Sequence, residues 1–96
     1  MNNDNIITVN GTVESSRVIS VGTKKEAHLY IKNGDSHHNI VARENENIDK
    51  RVFTIGNGLN ITVTGKRRFL QYRNGLGQLR KYLQIEASEI KVIKKK

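Results

Sequence analysis

Six cations, Lys66, Arg67, Arg68, Arg73, Arg80 and Lys81, are gathered around Tyr72 in one short stretch of the chain. A cation neutralises a phosphate and releases its condensed counterions. A flat aromatic ring stacks on a base of any identity. Residues of these two kinds, interleaved, grip a polyanion that carries flat bases; they do not make or break bonds. Phe69 and Tyr72 are three positions apart on an extended segment, so their side chains point to opposite faces. Phe69 is therefore expected to pack inward and Tyr72 to stack. Tyr30 shares an outward face with His28 and Lys32, and Tyr82 alternates out of phase with Leu83 and Ile85. Both rings are candidate contacts. Phe53 lies among apolar residues and is expected to plug the core, while Lys24 and Lys25 are expected in a loop at the rim of the same surface.

No constellation for catalysis appears. An enzyme needs a nucleophile beside a base, paired carboxylates or a cluster of metal ligands. Asp35, Glu44, Glu46 and Asp49 are scattered, and Gly56-Asn57-Gly58 lacks the Lys-Ser/Thr that completes a phosphate loop. His37 and His38 are adjacent on an extended run and point to opposite sides, so they cannot easily share one ion. The chain has no cysteine, which removes disulfides, thiol chemistry and cysteine-based zinc sites. A non-enzymatic binding protein without metal or other cofactor is expected.

Composition agrees with a binding module. Ninety-six residues make one domain, with 17 Lys and Arg against 9 Asp and Glu, a net charge of +8. Such a surplus attracts polyanions. Lys94, Lys95 and Lys96 contribute a terminal basic run, but the body of the chain is basic without them. No apolar run is long enough to span a bilayer, and the polar start, Met1 to Asn5, does not read as a signal peptide. A cytoplasmic protein without membrane contact is the expectation. The domain is placed at residues 6–93, between a flexible N-terminus at 1–5 and a basic tail at 94–96.

The elements that must position these residues are strands. Ile7, Val9, Gly11 and Val13 alternate with Thr8, Asn10, Thr12 and Glu14, the period-two pattern of a half-buried strand. Val18, Ile19 and Val21 extend it past a bend at Ser15 and Ser16. Ala27, Leu29 and Ile31 form the inner side of a second strand, which ends in a turn at Asn33-Gly34-Asp35-Ser36. A third strand spans His37 to Arg43, with His38, Ile40 and Ala42 inward. Alternation then lapses, and Ile48, Val52, Phe53 and Ile55 are spaced as one face of a short helical cap. Leu59, Ile61 and Val63 open a fourth strand. A fifth runs from about Leu79 through Leu83, Ile85 and Ala87 to Ile90 and Val92. The last two form a long hairpin with a basic, aromatic tip. Gly11 and Gly65 fall in mid-strand, where a missing side chain marks a bulge or a tight bend. Five strands and a cap between the third and fourth describe an all-β, five-stranded, partly open Greek-key barrel of the oligonucleotide-binding (OB) type.

From Val41 onward the sequence resembles the bacterial and phage single-stranded DNA-binding protein family, including primosomal replication protein N. The resemblance is carried by Ile40-Val41-Ala42, by Gly58-Leu59-Asn60-Ile61-Thr62-Val63-Thr64-Gly65, by Tyr72-Arg73-Asn74-Gly75-Leu76-Gly77-Gln78, and by Arg80-Lys81-Tyr82. It implies an OB fold that binds single-stranded DNA without sequence preference during replication or recombination, as a homodimer or homotetramer, in a bacterial, nucleoid-associated setting. Carried over by position, Tyr72 stands at the family's hairpin aromatic, and His37 and Arg43 stand where it has aromatics at either end of the third strand. Imidazole and guanidinium planes also stack on bases. The contact set is then Tyr72, Arg73, Lys66, Arg68, Arg43, His37, Tyr30, Lys32, Arg80 and Tyr82. Typical members continue into an acidic tail where this sequence has Lys94-Lys95-Lys96, which is expected either of a minimal or accessory member or of one that recruits partners some other way. The alternatives are a primosome-like adaptor that docks a replication helicase, helicase loader or polymerase, and an OB barrel that meets RNA or a protein.

Overall fold

The structure is a computed structural model, and it describes residues 6–93. The N-terminal segment 1–5 and the tail 94–96 named above lie outside the described residues. The elements are β1 (Ile6–Val21), β2 (Lys24–Asn33), β3 (Ser36–Arg43), a single helical turn α1 (Arg51–Thr54), β4 (Asn60–Arg73) and β5 (Leu79–Val92). They close into one barrel in the order β1-β2-β3-β5-β4. All neighbouring pairs are antiparallel except β3 with β5, which is parallel. This is the five-stranded Greek-key barrel with a cap between the third and fourth strands that the alternation pattern indicates.

β1 serves two walls. Its first half, Ile6 to Thr12, pairs with β4, and its second half, Thr12 to Val21, pairs with β2. Between the two, Val13 opposes Ile31 and Ser15 opposes Tyr30, leaving Glu14 as an extra residue. A bulge of this kind bends a strand and re-aims a side chain. It accounts for the bend expected at Ser15 and Ser16. Gly11 lies against β2 here, where a Cβ would stand 2.9 Å from the Lys32 carbonyl oxygen.

The core is aliphatic. Ile31, Ile40, Ile61, Ile85, Ile90, Val52 and Val63 are the largest fully buried side chains. β-branched residues suit a strand because their restricted rotamers fit a pleated, half-buried surface. The segment between β3 and β4 caps one end. Ile48 bridges to Ile90, and Val52 and Phe53 are the buried residues of α1, Phe53 in the plugging role expected of it. Ile55, expected on the same helical face, is instead exposed, because the helix stops at Thr54 and the chain turns out through Gly56 at φ 67°. Lys24 and Lys25 are also corrected. Only Gly22 and Thr23 make the turn, and both lysines belong to β2, opposite Val21 and Ser20.

A second bulge lies between β4 and β5. Gly65 opposes Ala87 and Thr64 opposes Glu89, so Ser88 is the additional residue. Its hydroxyl donates to the Thr64 carbonyl at 3.1 Å. β4 and β5 are 14 residues each, or about 46 Å at ~3.3 Å per residue. That equals the longest dimension of the molecule, 46 Å, so the end of the hairpin stands clear of the barrel.

A Cβ at Gly65 would overlap the Glu86 carbonyl oxygen and lie 2.8 Å from Ala87 Cα, both backbone atoms that cannot swing away. Gly65→Ala is therefore expected to lower unfolding stability by about 2 kcal/mol, the usual cost of overfilling a packed site. Gly75→Ala at the hairpin tip, where nothing lies within 4 Å, should leave it unchanged. Urea denaturation of the two variants checks the difference.

Candidate nucleic-acid interface

Residues opposed across a ladder share a face of the sheet, so the strand register maps the outside of the barrel. One row runs Ser15, Tyr30, Asn39, Gln84, Arg68; the next runs Arg17, His28, Val41, Glu86, Lys66. The intervening row is inward, and its Leu29, Ile40 and Ile85 are buried. On the projecting part of the hairpin the outer face continues with Leu70 opposite Tyr82 and Tyr72 opposite Arg80. Eight of the ten expected contact residues, Tyr30, Lys32, His37, Arg43, Lys66, Arg68, Tyr72 and Tyr82, thus lie on one continuous outer surface with Arg80 as a ninth. Arg73 does not. It opposes Leu79 on the other side of the ribbon.

Two aromatic pairs stand on this surface. Tyr30 and His37 stack with centroids 4.7 Å apart and planes 6° from parallel. Tyr72 and Tyr82 meet edge to face at 5.8 Å. Both are favourable arrangements of ring quadrupoles. The edge of the His37 ring is held by Glu14, whose Oε1 lies 3.2 Å from Nε2. Glu14 is the extra residue of the β1 bulge, and the bulge is what turns its carboxylate toward β3. Tyr72 is half exposed, and Tyr30 and Tyr82 are only slightly more covered.

Carboxylates are interleaved with the cations. Arg43 Nε donates to Glu26 Oε1 at 3.1 Å, and His28 Nε2 lies 2.8 Å from Glu26 Oε2. The hydrogen bond from Arg43, followed by that from His28, holds the Glu26 carboxyl below its ordinary range. Arg68 Nη1 donates to Glu86 Oε2 at 3.0 Å. Arg43, His37 and Arg68, three of the expected contacts, therefore already have acidic partners. Among the described residues Lys32, Lys66 and Arg80 make no ion pair. Lys66 and Glu86 also face Arg43 across a cleft of about 410 Å³, which runs in from Ile6 to the bulge at Ser88.

The hairpin tip is built by its own polar groups. Asn74 Oδ1 accepts from the backbone N–H of Leu76 at 2.9 Å and of Gln78 at 3.0 Å. Arg73 Nη1 donates to the Gly77 carbonyl at 2.9 Å. Gly77 takes φ 79°, a left-handed conformation that favours glycine. Arg73 thus shapes the turn as well as charging it.

The structure corrects the reading of Phe69. Instead of packing inward it is 74% exposed, because the ribbon has passed the rim of the barrel and has no core beneath it. The opposite face was correctly expected for it, since Phe69 shares parity with the buried Ile61 and Val63. Arg67, Arg73 and Lys81 fall on that side too, so the six hairpin cations divide three and three. Arg17, in line with His28 and Val41 on the outer face, is an addition that the sequence reading passed over. Its position depends on the parity change at the Glu14 bulge.

No protein-family model and no curated protein matches this sequence. Among solved structures, a Plasmodium falciparum single-stranded DNA-binding protein in complex with single-stranded DNA superposes with a TM-score of 0.70 at 16% identity, covering 98% of this chain and 100% of that one. The mitochondrial single-stranded DNA-binding protein of Saccharomyces cerevisiae gives a TM-score of 0.64 at 15% identity, with 94% of each chain covered. At such identities the likeness is one of fold, and over nearly its whole described length this chain has the OB fold of single-stranded DNA-binding proteins.

Proposed function

We propose that this protein binds single-stranded DNA without sequence preference and serves replication or recombination, where single strands lie exposed. The observation that carries the reading is the continuous outer surface that holds the two ring pairs, Tyr30 with His37 and Tyr72 with Tyr82, together with the cations Lys32, Lys66, Arg68 and Arg80. The complex with single-stranded DNA formed by the Plasmodium neighbour supports it. Bases would stack on the rings, each contact being worth about 1–3 kcal/mol. Stacking consults no base edge, which makes the binding tolerant of sequence. A duplex hides its base faces and would meet only the cations.

Glu86 and Glu26 set the electrostatics of the track. A phosphate arriving at Arg68 or Arg43 must displace or share a carboxylate, whereas Lys66 and Arg80 are available at once. Single strands release about 0.7 counterion per phosphate neutralised, so the salt dependence of binding counts the cations that engage.

Labelled oligo(dT) of about 30 nucleotides, long enough for several single-fold sites, is expected to bind tightly in a fluorescence-anisotropy titration and to be poorly competed by duplex. Absence of binding at low salt would overturn the proposal. Tyr72→Ala should weaken the complex about tenfold, within the usual value of one stacked base. Glu86→Gln frees Arg68, and is expected to raise affinity and steepen the log K against log salt slope by about 0.7. An unchanged slope would remove Arg68 from the phosphate track.

A further inference from the structure

The hairpin has a second face, and it is not that of an ordinary solvated ribbon. Phe69 opposes Leu83, Arg73 opposes Leu79, Gln71 opposes Lys81, and Arg67 opposes the last core residue, Ile85. This side therefore carries one largely exposed ring, two leucines of which Leu79 is 55% exposed, and the three cations Arg67, Arg73 and Lys81. No carboxylate stands among them. Among the described residues none of the three cations makes an ion pair, in contrast to the interleaved outer face. A single exposed apolar side chain needs no explanation. A phenylalanine ring framed by three unneutralised cations at fixed register does, because water is a poor solvent for the ring and the cations repel one another.

The charge selects the occupant. A second copy of this chain laid face to face would set three cations against three, and like charges opposed across an interface are destabilising. A polyanion with flat bases satisfies both features at once. We propose that the face centred on Phe69 is a second stacking platform, which takes a further stretch of the same single strand as that strand passes round the hairpin. The ribbon is then gripped from both sides, Tyr72 and Tyr82 on one and Phe69 on the other. The inference rests on the single-strand binding proposed above and adds to it a face and a path for the strand.

The chain contains no tryptophan, so Phe69→Trp introduces one fluorophore that reports only on this face. Titration with unlabelled oligo(dT) of about 30 nucleotides is expected to quench it as a base stacks. Phe69→Ala should lower affinity about tenfold for the same oligonucleotide. Because Phe69 is exposed, the thermal melt of the Ala variant should match the parent. Both results are required, and either one missing overturns the inference. If Tyr72→Ala still weakens binding while Phe69→Ala does not, the outer face stands and the second platform falls. If the parent binds no oligonucleotide at all, the failure lies with the proposed function itself. A drop in solution mass on Phe69→Ala, seen by light scattering with affinity unchanged, would assign the face to a second copy and likewise overturn the inference.

Discussion

Five strands close around this small core with two close approaches of backbone, at Gly11 and at Gly65, and the tighter of the two is at Gly65. The Glu86 carbonyl occupies the space where any side chain at position 65 would begin. Beside it Ser88 is left over in the ladder, and the phase of β5 changes: Ile85 and Ala87 face inward before the bulge, Ile90 and Val92 after it. From Gly65 opposite Ala87 to Arg73 opposite Leu79 the register then continues unbroken. The parity set at Gly65 is therefore transmitted to the tip. It decides that Lys66, Arg68 and Tyr72 lie on one side and Arg67, Phe69 and Arg73 on the other. Shifting that pairing by one residue would exchange the two faces entirely.

The outer face reflects a compromise that a basic protein has to make. Cations close together on a sheet repel, and an unliganded surface of them costs stability. Glu26 holds Arg43 and His28, Glu86 holds Arg68, and Glu14 holds His37. Open pairs such as Arg68 with Glu86 and His37 with Glu14 are worth no more than about 1 kcal/mol each, so they orient side chains without locking them. A phosphate offers a comparable partner to the same donors. The carboxylates thus orient these donors and would compete with a phosphate for them. On the Phe69 face the same relief is absent, which is why that face reads as unfinished.

Much of this arrangement was legible in the sequence, and the reason is parity. Alternation from Ile61 through Val63 to Gly65 assigns every later residue of β4 to a side, and the mid-strand glycines marked the close approaches. What parity does not contain is the height of the barrel. It placed Phe69 on the core-facing side correctly, but only the point at which the other strands end shows that no core remains there. The acidic partners were hidden for a different reason. Glu26 lies 17 residues from Arg43 and Glu86 lies 18 from Arg68, and such pairs exist only once strand register is fixed. Ile55 went astray because a helical spacing cannot tell where a one-turn helix stops.

The distribution of aromatic residues connects stability with the proposed activity. Of the five phenylalanine and tyrosine rings in the chain, Tyr30, Phe69, Tyr72 and Tyr82 are exposed and only Phe53 is buried. Rings bury more apolar area than any aliphatic side chain and normally dominate a core. Here isoleucine and valine fill it instead. The barrel thus folds on side chains that have no means of stacking on a base, and holds outside it nearly all of those that do. Folding and binding draw on separate sets of residues. A ring can be altered at the surface without reopening the core, and the core can close without consuming a single ring of the hairpin.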